Sequence, residues 1–175
     1  MTFLHRLGIS RDSLGRTLAS LIEQGFMATQ TGAGHPLRPE YVLSPPGKRI
    51  APACAGVMKE LRRLGEESLG LQKWTLPVLA ALADGPRRFG DLRGALAEST
   101  PRALSMSLRS LEEQGMVRRS VKDTYPPTTD YTLSPKALRL AAATRRLLAA
   151  LGLRVPTSRE DPDAKQTQRR RNKAS

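Results

Sequence analysis

The chain of 175 residues has little of what disulfide bonding, metal binding or membrane insertion requires. It has one cysteine, Cys54, so no internal disulfide can form, and a reducing cytoplasm is the simplest location to expect. Its two histidines, His5 and His35, stand in unrelated contexts, and no Cys/His cluster has metal-ligand spacing. No apolar run approaches the roughly 20 residues of a bilayer-spanning helix. Residues 1–10 hold two apolar patches broken by His5 and Arg6, so we do not expect them to form a signal peptide. We therefore expect no enzyme, no metal, no cofactor and no membrane partner.

Acidic side chains are also scarce. There are 16 Asp and Glu against 29 Lys and Arg, which gives a formal net charge of +13. Both halves of the chain and its C-terminal segment are basic. This balance favours a polyanionic partner, with nucleic acid first and an anionic membrane surface second, although basic charge can also serve solubility alone.

One segment is present twice. Ser-Leu-Ile-Glu-Gln-Gly-Phe at 20–26 returns as Ser-Leu-Glu-Glu-Gln-Gly-Met at 110–116. When 9–45 and 99–135 are overlaid without a gap, they share leucines, a glycine and a Tyr-x-Leu-Ser-Pro ending. The repeat favours two small units over one large one.

The second copy has the clearer pattern of elements. Residues 72–83 place apolar side chains at helical spacing, and Pro77 predicts a kink or a helix start close to it. A further helix begins with Thr100 as N-cap hydroxyl and Pro101 at the first helical position, and Gly115 ends it.

This later helix has two faces. The leucines at i, i+4 and i+7 predict a core-facing side made of Leu104, Leu108 and Leu111. The opposite side carries Arg102, Met106, Arg109 and Glu113, with Ser105 on its flank, and it is free to contact a partner.

The remaining elements are short. The sequence predicts a helix over 90–97, strands over 116–121 and 129–133, and a final helix that Ser134-Pro135 begins and that runs to about Leu151. The order is α, short β, α, α, β-hairpin, α.

That order resembles the HxlR-type winged helix-turn-helix transcriptional regulators, relatives of the MarR family. The motifs that carry the resemblance are Lys73-Trp74-Thr75-Leu76, Gly85-Pro86-Arg87-Arg88-Phe89, Thr100-Pro101, 108–115 and 131–135. They cover residues 72–151 nearly end to end. The resemblance implies that the third helix is the recognition helix, that the hairpin is the wing, and that the working form is a dimer.

The first copy repeats only the later part of this unit, and it lacks a counterpart of the Trp74 helix. Its predicted elements are a helix that Ser10 caps and Gly25 ends, a hairpin over 26–31 and 39–43, and a helix that Ser44-Pro45 begins. Either the true start lies upstream of Met1, which we favour, or a helix from elsewhere fills the space. The predicted fold class is mainly α with small β-hairpin wings, as two tandem winged helix-turn-helix domains. Their predicted bounds are 1–64, partial, and 65–155, complete, followed by a disordered basic tail over 156–175. Residues 65–71 are expected to be a short linker between the two units.

The candidate DNA contacts follow from chemistry at the two exposed surfaces. Arginine reads guanine in the major groove through two parallel hydrogen bonds, whereas basic residues in a wing usually meet phosphate. The predicted DNA-binding residues are Arg11, Arg16, Arg38, Arg102, Ser105, Arg109, Arg118, Arg119 and Lys122. Alternatively, these are simply solvated polar faces of small basic domains.

Three residues invite a functional reading that we do not favour. Tyr41 and Tyr131 could stack on bases, but each is expected to pack under its hairpin. Cys54 stands in an Ala-rich helix, where a small buried thiol is expected rather than a redox switch.

The sequence thus predicts a cytoplasmic transcription regulator that binds double-stranded DNA through an intrachain pseudo-dimer, with a homodimer left open. The rival is a non-enzymatic scaffold or nucleoid-associated protein with non-specific nucleic-acid or protein binding.

Overall fold

The computed structural model describes residues 10–31, 39–123, 125 and 127–154. Contacts divide the chain into two compact units, Met1–Pro52 and Ala53–Ser175. The division lies within a helix, at a proline that has no N–H to donate. The predicted tail lies outside the described residues, and the domain bounds at 64/65 remain a prediction.

Unit 1 consists of a helix, a hairpin and the start of a second helix. The elements are α1 (Arg11–Glu23), β1 (Met27–Thr31), β2 (Pro39–Leu43) and α2 (Pro45–Leu64), whose first half belongs here. Ser10 caps α1, since its hydroxyl accepts a hydrogen bond from the Ser13 amide at 3.2 Å. Beyond α1, Gly25 takes a φ of +75°, which a residue with a side chain adopts only at a cost. The prediction from the sequence is confirmed for these elements.

The leucines of α1 are less well covered than their counterparts in the second copy. No residue of α1 is buried, and Leu14, Leu18 and Leu21 are only partly so. The counterparts Leu104, Leu108 and Leu111 expose 0%, 2% and 0% of their surface. Among its described residues, unit 1 has no closed core.

Unit 2 begins with the second half of α2. Val57 and Leu61 of this helix expose 4% and 0% of their surface and pack into the hydrophobic core. A 3-10 helix, Glu67–Leu71, follows and adds Leu69, which is fully buried. The segment that the sequence suggested as a plain linker, 65–71, therefore contributes to the core.

The helix-turn-helix part comes next. Its elements are α3 (Thr75–Ala81), a 3-10 turn (Leu82–Asp84), β3 (Arg87–Arg88), α4 (Phe89–Ala95) and α5 (Pro101–Glu113). Helix α3 is shorter than the predicted 72–83. It starts near Pro77, as expected, because a proline in the first turn gives up no intrahelical bond. At the start of α5 the Thr100 hydroxyl accepts from the Ala103 amide at 3.2 Å, which confirms the predicted cap.

A three-stranded antiparallel sheet completes the winged-helix fold. Strands β4 (Val117–Lys122) and β5 (Thr128–Leu133) form the hairpin, called the wing from here on, and β3 pairs with the other edge of β5. The register places Arg88 and Ser120 on either side of Asp130. Only tertiary folding brings β3 to this position.

The last helix starts later than the sequence predicted. Helix α6 spans Leu138–Ala150, and residues 135–137 form a turn, so Ser134-Pro135 does not begin it. The prediction of its start was wrong because Ala137 carries a Cβ where unit 1 has Gly47, and a Cβ at Gly47 would lie 2.0 Å from the Phe26 carbonyl oxygen. In unit 1 the matching Ser44 does cap its helix, accepting from the Gly47 amide at 3.1 Å.

The same backbone bonds join helix to hairpin in both units. The Phe26 amide donates to Leu21 at 2.9 Å, and the Met116 amide donates to Leu111 at 2.8 Å. At the far end of each hairpin the Ser44 and Ser134 amides donate to the carbonyl oxygens of Phe26 and Met116. The sequence repeat is thus also a repeat of local geometry.

Side-chain burial corrects two expectations. Tyr131 is partly buried against the core, as expected, but Tyr41 is 44% exposed. Cys54 is half-buried, not buried. Trp74 is half-buried just before α3, and the Lys73 ammonium lies 5.1 Å from its ring centroid. Within the described residues, no helix is both long and apolar enough to cross a bilayer.

Candidate nucleic-acid interface

Helix α5 presents an exposed face made of the residues that the sequence singled out. Its inner side is anchored by Leu104, Leu108 and Leu111 in the core. Arg102, Ser105 and Arg109 are exposed on the other side, where the 3.6-residue period places them together. Met106 lies among them with 62% of its surface exposed, although it was not a predicted contact. An apolar group at this place suits contact with a thymine methyl.

Arg109 is oriented by an ion pair one turn along the helix. Its Nε lies 2.9 Å from Oε1 of Glu113, and the two side chains are 82% and 62% exposed. Such an exposed pair adds about 0–1 kcal/mol to stability. The bond uses one of the five N–H donors that a guanidinium carries, so the pair is compatible with end-on recognition of a base.

The basic residues of the wing point in two directions. Arg118, Arg119 and Lys122 are all exposed on β4. Because side chains alternate along a strand, Arg118 and Lys122 share a face while Arg119 lies on the other. The sequence predicted the three as a group, and the strand separates them.

An aspartate that the sequence did not single out lies under Lys122. Asp130 exposes 8% of its surface, and its Oδ2 lies 2.5 Å from the Lys122 ammonium. Its Oδ1 lies 3.8 Å from Nε of Arg88, which reaches it from the opposite strand. No sequence signal marks this group, because its members come from three strands whose pairing is fixed only by folding.

The two arginines of β3 differ in environment. Arg87 is 3% exposed, and burial lowers the pKa of its guanidinium below the usual value. The side chain of Arg88 is 61% exposed. Of the two, Arg88 alone is accessible to a partner.

The counterpart surface in unit 1 is less basic along its helix. Arg11 and Arg16 are exposed on α1, and Ala19 stands where α5 has Arg109. Arg38, a candidate in the first hairpin, lies outside the described residues. The two helices therefore offer different side chains to a partner.

Two apolar side chains near the wing tip were also missed by sequence reasoning. Tyr125 is fully exposed and Val121 is 62% exposed. Across the part of the chain that the structure describes, no three His, Cys, Asp or Glu side chains are grouped so that they could hold a metal ion.

Comparison with known proteins agrees with this geometry. The family described as HxlR-like helix-turn-helix matches residues 69–152. An uncharacterized HTH-type transcriptional regulator, YtfH of Escherichia coli, is 30% identical over 84 residues, which are 48% of this chain and 67% of YtfH. One from Methanothermobacter thermautotrophicus is 38% identical over 64 residues, 37% of this chain and 49% of the relative.

A solved structure is also similar in sequence. The reduced form of the transcriptional regulator YodB from B. subtilis is 29% identical, with a TM-score of 0.43, over 47% of this chain and 80% of YodB. With the family match over 69–152 and the relation to YtfH, the chain belongs to the HxlR-like helix-turn-helix family.

Proposed function

We propose that this protein is a sequence-specific transcriptional regulator of double-stranded DNA, in which two winged-helix units of one chain act as an intrachain pseudo-dimer. One observation carries the proposal. Helix α5 buries its leucines completely and leaves Arg102, Ser105 and Arg109 in solvent on one face. The relatives' names, HTH-type transcriptional regulators, support the same function.

The exposed face of α5 suits the major groove of B-DNA, which admits one helix. Arg102 and Arg109 can each donate two parallel hydrogen bonds to a guanine edge, and Ser105 can bond to any base. Arg118, Arg119 and Lys122 in the wing are suited to phosphate contacts, which fix position without reading sequence. Arg11 and Arg16 on α1, with Arg38 in the first hairpin, serve the second half-site.

The tandem arrangement is supported by the repeated hydrogen bonds between helix and hairpin in the two units. A pair of identical units requires a palindromic operator, because its two-fold symmetry is mirrored in the DNA. Here Ala19 replaces the counterpart of Arg109, so the two half-sites differ. The operator is therefore asymmetric, and a homodimer of the chain would double this asymmetric site.

Selection of binders from random duplexes tests the proposal. We expect enriched sites with two unlike half-sites, one of which contains a guanine read by Arg109. The matched control is the Arg109→Ala protein, which loses sequence information in that half-site only. Recovery of perfect palindromes alone would contradict the intrachain pair, and recovery of no preferred sequence would contradict sequence-specific recognition.

A non-specific role is the alternative, and the net charge of +13 favours it. A scaffold or nucleoid-associated protein would bind nucleic acid through charge, with a steep dependence on salt and no preference among duplexes. Titration of a selected and a scrambled duplex at several salt concentrations separates the two functions.

A further inference from the structure

The carboxylate of Asp130 joins the two outer strands of the sheet in unit 2. Asp130 lies on the central strand β5, in register with Arg88 on β3 and Ser120 on β4. Lys122 is two residues beyond Ser120 and so lies on the same face of β4. Both cationic groups reach the one carboxylate, at 2.5 Å from Lys122 Nζ and 3.8 Å from Arg88 Nε.

The solvent exposure of the three side chains shows which side of the group formed by Asp130, Arg88 and Lys122 faces solvent. The side chain of Asp130 is 11% exposed, whereas those of Arg88 and Lys122 are 61% and 57% exposed. A buried carboxylate needs ionic partners, and here it has two. One negative charge cannot neutralise two cations, so the group keeps a net charge of +1 on its solvent side.

We infer that Arg88 and Lys122 form one phosphate-binding pair, held together in the free protein by Asp130, and that the pair takes a single phosphate of bound DNA. The inference rests on the proposed function and adds Arg88, which lies outside the wing. The contacts with Asp130 show that both cations can reach one anionic group. A phosphate on their exposed side offers the same charge and oxygen acceptors. Arg87, adjacent in sequence, is buried and takes no part.

Salt dependence of duplex binding tests the pair, because the slope of log K against log salt counts the phosphates that a protein neutralises. Arg88→Ala, Lys122→Ala and the double variant are measured on any one duplex. Each single variant should weaken binding severalfold, and the double variant should lower the slope by about one, because one phosphate is lost. The matched control is Arg146→Ala, which removes an exposed arginine of α6 and should leave the slope nearly unchanged.

Two results would overturn the inference. If Arg88→Ala behaves like Arg146→Ala, then Arg88 does not contact DNA. If the double variant lowers the slope by about two, the cations meet separate phosphates. Neither result requires the operator to be known, so the test stands apart from sequence-specific recognition. If the unaltered protein binds no duplex, the proposed function itself fails.

The role of Asp130 is tested with Asp130→Asn, which keeps the shape and removes the charge. The carboxylate competes with phosphate for both cations, so we expect tighter binding to every duplex. In the Arg88→Ala, Lys122→Ala background this gain should disappear. Asp123→Asn, at an exposed acid just beyond β4, is the control whose effect should persist in that background. An equal gain from Asp130→Asn with and without the pair would show long-range action and would contradict its place in the pair. If Asp130→Asn fails to fold, the slopes of the arginine and lysine variants decide alone.

Discussion

The hydroxyl of Ser134 donates a hydrogen bond to the carbonyl oxygen of Gly115 at 2.7 Å. The bond ties the residue after β5 to the left-handed residue that ends α5, where Gly115 has a φ of +66°. Ser44 makes the same bond to Gly25 at 2.5 Å in unit 1. The last carbonyl groups of a helix have no intrahelical donors, so a side chain that supplies one holds the hairpin against the helix end.

We expect Ser134→Ala to lower the free energy of unfolding by about 1 kcal/mol, the net contribution of one such bond. Ser44→Ala should lose at least as much, because the Ser44 hydroxyl also accepts from the Gly47 amide as the N-cap of α2. Urea unfolding followed by circular dichroism measures both. The control is Ser105→Ala on the exposed face of α5, which should change stability by no more than about 0.5 kcal/mol. Equal losses at Ser105 and Ser134 would contradict a role for the bond.

Replacement of Arg109 should affect sequence discrimination. Arg109→Ala removes a side chain that can bond to a guanine edge, and we expect a loss of about 1–3 kcal/mol of discrimination at one base pair. Binding is measured on a specific and a scrambled duplex at several salt concentrations. If both duplexes are weakened by the same factor, Arg109 contacts phosphate, and the placement of α5 in the groove is wrong.

Replacement of Arg119 should act on all duplexes alike. Arg119 is exposed on the wing. Val121, two residues further along β4 and on the same face, is apolar and also exposed. We expect Arg119→Ala to weaken specific and scrambled duplexes about equally and to lower the salt slope by about one. Arg119→Lys keeps the charge and is the matched control. A selective loss on the specific duplex would instead make Arg119 a base contact.

Two glycines of unit 1 should respond in opposite directions to alanine. A Cβ at Gly47 would lie 2.0 Å from the carbonyl oxygen of Phe26, so Gly47→Ala must displace backbone, and we expect it to lower stability by about 1–3 kcal/mol. At Gly15, inside α1, a Cβ would meet nothing within 4 Å. Gly15→Ala should raise stability by up to about 1 kcal/mol, through helix propensity.

Thermal unfolding by circular dichroism distinguishes these two variants. Stabilisation by both would show that the start of α2 can shift along the chain. The second copy has such a shift, since Ala137 stands at the position of Gly47 and α6 begins only at Leu138.

The sequence by itself determined the elements whose signals are local. The Thr100 cap, the Pro101 start, the leucine period and Gly115 define α5 because caps, helical period and positive φ are properties of a few adjacent residues. The exposed face with Arg102 and Arg109 follows from the same period. The order of these motifs predicted membership of the family, and the relation to YtfH, with the family match to residues 69–152, confirmed it.

Only the tertiary structure decided what depends on distant partners. Leu69 lies in a segment that the sequence suggested as a linker, yet it is buried, because the core of unit 2 closes over it. The start of α6 was placed wrongly because Ala137 carries a Cβ, for which the matching position in unit 1, Gly47, leaves no room beside the Phe26 carbonyl oxygen. Asp130 gained its two cations only when β3 and β4 paired with opposite edges of β5. Pairing between strands far apart in the chain is set by folding of the whole unit, and no local pattern encodes it.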